Sequence, residues 1–378
     1  MSRKTAVVSP AEGMNVVFIA LGIYGAEGGM ERFNRRVLRS LSELKSSNHV
    51  MASVAIALWD GRSDLDLAPV GVDLIACERK KLRALFAFVR RIWKAKPTVV
   101  LYGHLMLTPL SLLVRFLSPR SRQILFAHGY EVWDPPSLFM KWVIRRRIDS
   151  VGAVSRYTIE RMSEAYRLPR PRFVELMNAV DVDDTEVSPA SLDLEGEFNL
   201  LTVSRLNRLD RDKHVDKVIL ALPLVLQRFP ETHLYVVGEG DLRTELEGLV
   251  AVQRLTAHVH LMGKIDDTTR ETLYERCDAF VLPSTQEGFG IVYLEAWMHR
   301  MPVIAGKGGA APEVVRHGVD GLVVEPDTEA IANAVCSLQT DPLMSPRLGQ
   351  AGYERAKNHF NHNRFRALLA RLLGLVVQ

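Results

Sequence analysis

The chain reads as an α/β protein of two doubly wound, mainly parallel sheets, and three observations carry that expectation. Its 378 residues exceed what one hydrophobic core usually organises, so two domains are the natural division. Short apolar runs alternate with helix-period segments throughout, the pattern of buried parallel strands joined by helical crossovers. An acidic stretch low in large apolar residues, DVDDTEVSPASLDLEGE from Asp181 to Glu197, contains Pro189 and splits the alternation into two series. The expected division is residues 1–185, residues 186–355, and a terminal helix over 356–378 of the kind that packs back on the first domain of a bilobed protein.

The first series places strands at Val16–Ala20, Met51–Leu58, Val72–Ala76, Thr98–Tyr102, Gln123–Ala127, Ser150–Val154 and Arg172–Leu176. The second, beginning at Phe198, places them at FNLLTVS, HLYVVG, HVHLMG, AFVLP, PVIA and GLVV. Arg3 and Lys4 before the apolar run Met14–Gly22 imitate a secretory leader, but Glu12 interrupts it and the β-branched NVVFIA suits a buried first strand. No run reaches the roughly 18 apolar residues that span a bilayer, and a cytoplasmic protein is expected.

With 47% hydrophobic and 24% charged residues, the composition is that of an ordinary globular protein. Cys77, Cys277 and Cys336 are odd in number, far apart and unaccompanied by histidines at metal-ligand spacing, so neither a disulfide framework nor a zinc site on them is expected. The formal charge of +4 hides an asymmetry: residues 1–180 hold 28 Lys and Arg against 15 Asp and Glu, the remainder 20 against 29. Much of the basic excess lies in Arg79–Lys96 and Phe139–Arg147, where cations alternate with Leu, Phe, Trp, Ile and Met. Such segments suit amphipathic helices on an anionic membrane surface, peripheral to the inner face of the cell membrane; the alternative is a solvated face whose apolar stripe turns to the core.

Open parallel sheets bind ligands beyond the carboxyl ends of their strands. After the first strand comes GIYGAEGGMERF, where Gly25, Gly28 and Gly29 make a pliable loop running into a helix, a cradle for an anion. It departs from G-x-G-x-x-G, and with no acidic residue closing a second strand in the usual place, a classical dinucleotide site is not expected. His128, in HGYEVW after QILFA, stands at a strand end, placed to bond a substrate hydroxyl or take its proton.

In the second series Arg205 follows the first strand and Lys213 precedes the next helix, two cations suited to a diphosphate. Asp210 and Asp212 spell D-x-D, but among Arg208, Arg211 and Lys213 they read as a solvated, ion-paired loop rather than a metal chelate. Further strand ends carry Gly238 in GEG, Gly263 before Lys264 and Ile265, and GKGGAAPE from Gly306 to Glu313. The richest is EGFGIVYLE: Glu287 in a strand-to-helix loop, Gly288 and Gly290 allowing close backbone approach, Ile291 opening a helix, and Glu295 inside it where it can accept from ribose hydroxyls.

In chain order, GGMER, HGYE, NAVD at Asn178–Asp181, SRL with a following lysine, VVGEG, the E-x7-E segment and GGAAPEVVRHGVDGLVVEP resemble the retaining GT-B glycosyltransferases of family four, which includes bacterial exopolysaccharide and phosphatidylinositol mannosyltransferases. The resemblance covers nearly the whole chain. It implies GT-B architecture, two doubly wound Rossmann-like domains facing across a cleft, residues 1–185 for the acceptor and 186–355 for the nucleotide sugar. It implies that Glu295 holds the ribose, Arg205 and Lys213 the diphosphate, and Gly28 and Gly29 approach that diphosphate. Glu287 with the Phe289 and Gly290 backbone would contact the donor sugar. Gly238, Gly288 and Ile291 would complete the donor-binding set, the backbone around Lys264 and Ile265 would meet the base, and His128 the sugar and acceptor. The usual N-G-V-D appears as Asn178-Ala179-Val180-Asp181, and GGAAPE is one residue longer than G-G-x-P-E, which leaves the role of Glu313 open.

The expected reaction is transfer of a hexose from GDP-mannose or a UDP-hexose to a lipid-linked or polysaccharide-precursor acceptor, with retention, no metal, no cofactor and no nucleic acid. The alternatives are a sugar-nucleotide epimerase on the same fold and a nucleic-acid-binding protein using the basic half.

Overall fold

A computed structural model describes residues 13–181 and 192–375. The leader-like residues before the first strand, the boundary between 185 and 186, most of the acidic segment Asp181–Glu197 and the last three residues of the expected terminal helix lie outside the described residues.

The chain divides into two compact units, one running to Asn178 and resuming at His362, the other Ala179–Asn361. The first holds strands β1 (Met14–Ala20), β2 (Val50–Ala57), β3 (Val72–Ala76), β4 (Val99–Tyr102), β5 (Arg122–Ala127), β6 (Ser150–Ala153) and β7 (Phe173–Glu175). The second holds β8 (Phe198–Val203), β9 (Thr232–Val237), β10 (Val259–Gly263), β11 (Ala279–Leu282), β12 (Val303–Gly306) and β13 (Leu322–Val324). Each expected strand is present, with ends shifted by a residue or two.

The first sheet has the order β3-β2-β1-β4-β5-β6-β7 and the second β10-β9-β8-β11-β12-β13. Every strand pair is parallel. Strands such as Val16–Ala20 and Thr232–Val237 are buried along nearly their whole length because helices cover both faces, which is why they read as unbroken apolar runs. In each sheet the order reverses once, between β1 and β4 and between β8 and β11. Doubly wound sheets bind ligands at that reversal, outside the strands' carboxyl ends.

The expected terminal helix over 356–378 takes in the end of the helix Met344–His359 and a second helix, His362–Leu373, with a break at Phe360 and Asn361. The second packs within the first unit: His362 Nε2 and Arg366 both engage the Glu43 carboxylate, Phe365 meets the Phe33 ring edge-on at 5.2 Å, and Arg122 donates to the Leu373 carbonyl. No helix among the described residues is long and apolar enough to cross a membrane. The three cysteines are buried and free.

Candidate functional site

In the first unit the loop after β1 is held from both sides of its backbone. Asp60, three residues past β2 and fully buried, accepts the N–H groups of Ile23 and Gly25 on Oδ1 and of Tyr24 on Oδ2. From the helix Gly29–Ser46, Asn34 donates to the Gly22 carbonyl, and Arg35 to the carbonyls of Ile23 and Ala26. A side chain at Gly25 would come within 2.8 Å of the Asp60 Cα. The sequence reading placed no acid in the usual closing position of the second strand; Asp60 lies three residues beyond β2, with both oxygens turned to the loop backbone. The loop that delivers Gly28 and Gly29 to the helix start is therefore preorganised by a buried carboxylate.

His128 follows β5, half-buried, with its ring against the edge of Phe33 at 4.8 Å. Its Nε2 lies 2.9 Å from the Gly103 carbonyl, which can only accept, so that nitrogen carries the proton and Nδ1 is left as the lone-pair acceptor. Gly103 closes β4 beside the strand reversal and donates to the Ile19 carbonyl of β1. The histidine is thus anchored at the reversal, one nitrogen committed to backbone, which narrows the expected freedom of the ring. Burial pushes its pKa down to about 4, against the opposing Gly103 hydrogen bond. Glu131 accepts the His128 backbone N–H at 2.6 Å, and burial raises its carboxyl. His104, lowered chiefly by burial, completes a cluster of two histidines and a glutamate at these strand ends.

In the second unit the loops after β8 and β11 meet at the reversal. Lys213 and Glu287 form an ion pair whose side chains are 21% and 9% exposed. Thr285 N–H donates to the Asp212 carbonyl, and His214 Nε2 lies 3.0 Å from Thr285 Oγ1. Behind Glu287 runs the glycine-rich segment after β12. Ala310 N–H donates to the Glu287 carbonyl, and a side chain at Gly309 would come within 2.5 Å of that oxygen. Glu287 is thus braced from both sides.

Arg205 pairs with Asp210 at 2.9 Å, and Asn207 donates to the same carboxylate. Asp210 is buried, which corrects the solvated loop expected from its charged neighbours: Arg208 pairs with Asp241 and Arg211 with Glu245 instead. The acid chosen is the one whose partner lies five positions earlier, across a turn.

Gly290 sits in the left-handed region at φ 91° before the helix Ile291–Met298, and a side chain there would strike the Tyr293 ring. Phe289 is buried edge-on to Phe360, while Gly288 and Ile291 are partly exposed. Glu295 accepts from the Tyr274 hydroxyl at 3.0 Å. Gly238 leaves room for the Ser204 carbonyl, so its first physical duty is the close approach of two loops. Lys264 is exposed and Ile265 partly so, ahead of the helix Asp267–Arg276 that Asp266 caps through Thr269 N–H.

At the ends of strands flanking a reversal, the second unit thus offers cations and carboxylates, the chemistry of a phosphate and a polyhydroxy ligand, and the first a braced glycine loop and a neutral histidine. Sequence reasoning missed Asp60, the burial of Asp210 and the Tyr274 partner of Glu295. Only Asp60 left a signal, an acid just beyond a recognised strand.

A family model described as glycosyl transferases group 1 matches residues 185–355. A GDP-mannose-dependent alpha-(1-6)-phosphatidylinositol monomannoside mannosyltransferase of Mycolicibacterium smegmatis is 32% identical over 268 residues, 67% of this chain and 70% of that protein. A phosphatidyl-myo-inositol mannosyltransferase of Mycobacterium tuberculosis is 37% identical over 181 residues, 45% of this chain and 46% of that one. Among solved structures, Anabaena HepE in complex with UDP and glucose superposes with a TM-score of 0.76 at 19% identity, covering 96% of this chain and 100% of that one. Sucrose-phosphate synthase of Thermosynechococcus elongatus does so at 0.74 and 21%, covering 95% and 98%.

Proposed function

The chain belongs to the group 1 glycosyl transferases, and on that premise we propose that it moves a hexose from a nucleoside diphosphate sugar to a lipid-borne acceptor with retention at the anomeric carbon. It is a glycosyltransferase of two parallel-sheet α/β domains, the GT-B type. Family membership selects transfer over epimerisation and over nucleic-acid binding. The names of its relatives support GDP-mannose as donor, with a UDP-hexose as the alternative that solved neighbours bring.

The observation that carries the reading is that Arg205, Lys213 and Glu287 stand on the two loops flanking the β8–β11 reversal. Breaking the sugar–phosphate bond places negative charge on the departing diphosphate and positive charge on the sugar. Arg205, Lys213 and the N-termini of the helices Val215–Leu226 and Ile291–Met298 supply the donors the diphosphate needs. Glu287, one oxygen on Lys213, offers the other to sugar hydroxyls, and Glu295 takes the ribose. Gly238, Lys264, Ile265 and the Gly288–Ile291 backbone complete the donor set. In the first unit, taken by itself, Gly28 and Gly29 offer backbone to an anion and His128 offers Nδ1 to a hydroxyl. Front-face attack, with the leaving phosphate accepting the acceptor's proton, accounts for retention without a carboxylate nucleophile or a metal.

A second surface supports the lipid acceptor. The helix Lys81–Ala95 buries Ala84, Phe88 and Ile92 but leaves Leu82, Phe86 and Trp93 82%, 70% and 60% exposed. The helix Leu138–Arg147 likewise buries Met140, Val143 and Ile144 while exposing Leu138, Phe139 and Trp142. Between them the helix Ser111–Leu117 packs on both and leaves Phe116 83% exposed. Both helices therefore carry one apolar stripe to the core and a second, amid Lys and Arg, to solvent. That is the make-up of a face that sits on an anionic membrane, peripheral to its inner leaflet.

The test offers radiolabelled GDP-mannose or UDP-glucose with anionic vesicles containing phosphatidylinositol or its mannosides. The reading expects label in the lipid fraction and an α linkage from an α-linked donor. Label left in the aqueous phase with both donors, or a β linkage, would contradict it.

A further inference from the structure

Away from the strand ends just described, near the start of β9 and on the edge strand β10, a histidine pair and a carboxylate meet. We infer that Glu195, His233 and His260 form a binding site for a divalent transition-metal ion of the zinc class. One ligand atom from each lies within 4.8 Å of the others. His233 Nδ1 and His260 Nε2 face each other at 3.0 Å, their rings stacked at 9°. Two imidazole nitrogens on one tetrahedral zinc ion stand roughly 3.3 Å apart, given metal–nitrogen bonds near 2.0–2.1 Å, so the pair needs to open by only a few tenths of an ångström to admit the ion. One shared proton is enough to join the imidazole pair; what adds a metal to the reading is the Glu195 carboxylate within 4.8 Å of both nitrogens.

The site is built by its surroundings. The Glu195 N–H donates to the Tyr235 hydroxyl at 2.7 Å, and the Tyr235 ring stacks on His260 at 4.5 Å, so one phenol fixes two of the three ligands. Gly196, at φ +93°, makes room for the third: a side chain there would come within 2.3 Å of the His233 ring. Two nitrogens and one oxygen suit zinc, cobalt(II) or nickel(II) better than magnesium or calcium, and leave a fourth position for water. The ion would tie the chain entering β8 to the sheet, a role separate from sugar transfer.

The experiment uses tag-free full-length protein, stripped with a chelator and dialysed. Zinc binding is measured by calorimetry, cobalt binding by visible absorption, and melting temperature with and without zinc. One equivalent is expected to bind, with a cobalt spectrum of tetrahedral type and a zinc-dependent rise in melting temperature. Glu195→Gln, at an exposed position that folding tolerates, and His260→Gln should each weaken binding on the order of tenfold or more. Donor turnover by Glu195→Gln should match the parent protein. No binding, or binding unchanged in both variants, would overturn the assignment.

Discussion

Lys213 and Glu287 close an ion pair across 74 positions of sequence, joining the loop after β8 to the loop after β11 where the strand order reverses. The pair sets a cation at the place where a diphosphate is proposed to sit.

Lys213→Ala is expected to lower kcat on the order of 100-fold, the loss of about 3 kcal/mol of leaving-group stabilisation. It also strands the buried Glu287 carboxylate, so its melting temperature should fall. Adding Glu287→Gln should recover much of that stability while leaving activity low. Measuring both quantities across the four proteins of the cycle separates the structural duty of the pair from the catalytic one. Equal activity in Lys213→Ala and the parent would remove the lysine from the mechanism.

Asp60 organises the glycine loop of the first unit through three backbone N–H groups. Asp60→Asn turns an amide donor toward those donors and should cost about 3 kcal/mol in urea unfolding. A cost near zero would mean that the loop holds its shape without the carboxylate.

His128 is neutral in the fold, its pKa held at about 4 from an ordinary 6.5. The unfolded chain takes up this proton below pH about 6.5, the folded chain only near 4. The contribution to stability is thus complete above about 6.5 and is lost as pH falls to about 4, a span of about 3 kcal/mol. His128→Gln keeps a donor for the Gly103 carbonyl but cannot titrate, so its stability should fall less steeply over that window in denaturant titrations at stepped pH. Parallel curves would show that the ring titrates alike in both states.

The exposed aromatic stripe predicts a separable defect. Phe86→Ser with Trp93→Ser should weaken sedimentation with anionic vesicles at least severalfold and lower transfer to vesicle-borne acceptor, with donor hydrolysis in solution unchanged. Undiminished vesicle binding would assign the stripe to another partner.

Much of the fold was legible because buried parallel strands are apolar on both faces and end at glycine or proline, as at Ala279–Leu282, which Pro283 follows, and Val303–Gly306. The strand-end positions of His128, Arg205, Lys213 and Glu287 followed from that. What a side chain does once there was less legible. Asp210 looked solvated among its cationic neighbours, yet turn geometry gave it to Arg205 and buried it. Gly238 was expected at the donor, and no spacing rule encodes that it also accommodates the Ser204 carbonyl. The helix break at Phe360 was hidden because helical periodicity runs on through Asn361.

The most direct test of the account is donor turnover by Glu295→Ala and Lys213→Ala beside the parent protein, with GDP-mannose and UDP-glucose each in turn. The proposed nucleotide-sugar site predicts one donor turned over by the parent, a raised KM for that donor in Glu295→Ala, and a kcat reduced about 100-fold in Lys213→Ala. Parent-like KM and kcat in both variants would place the donor elsewhere.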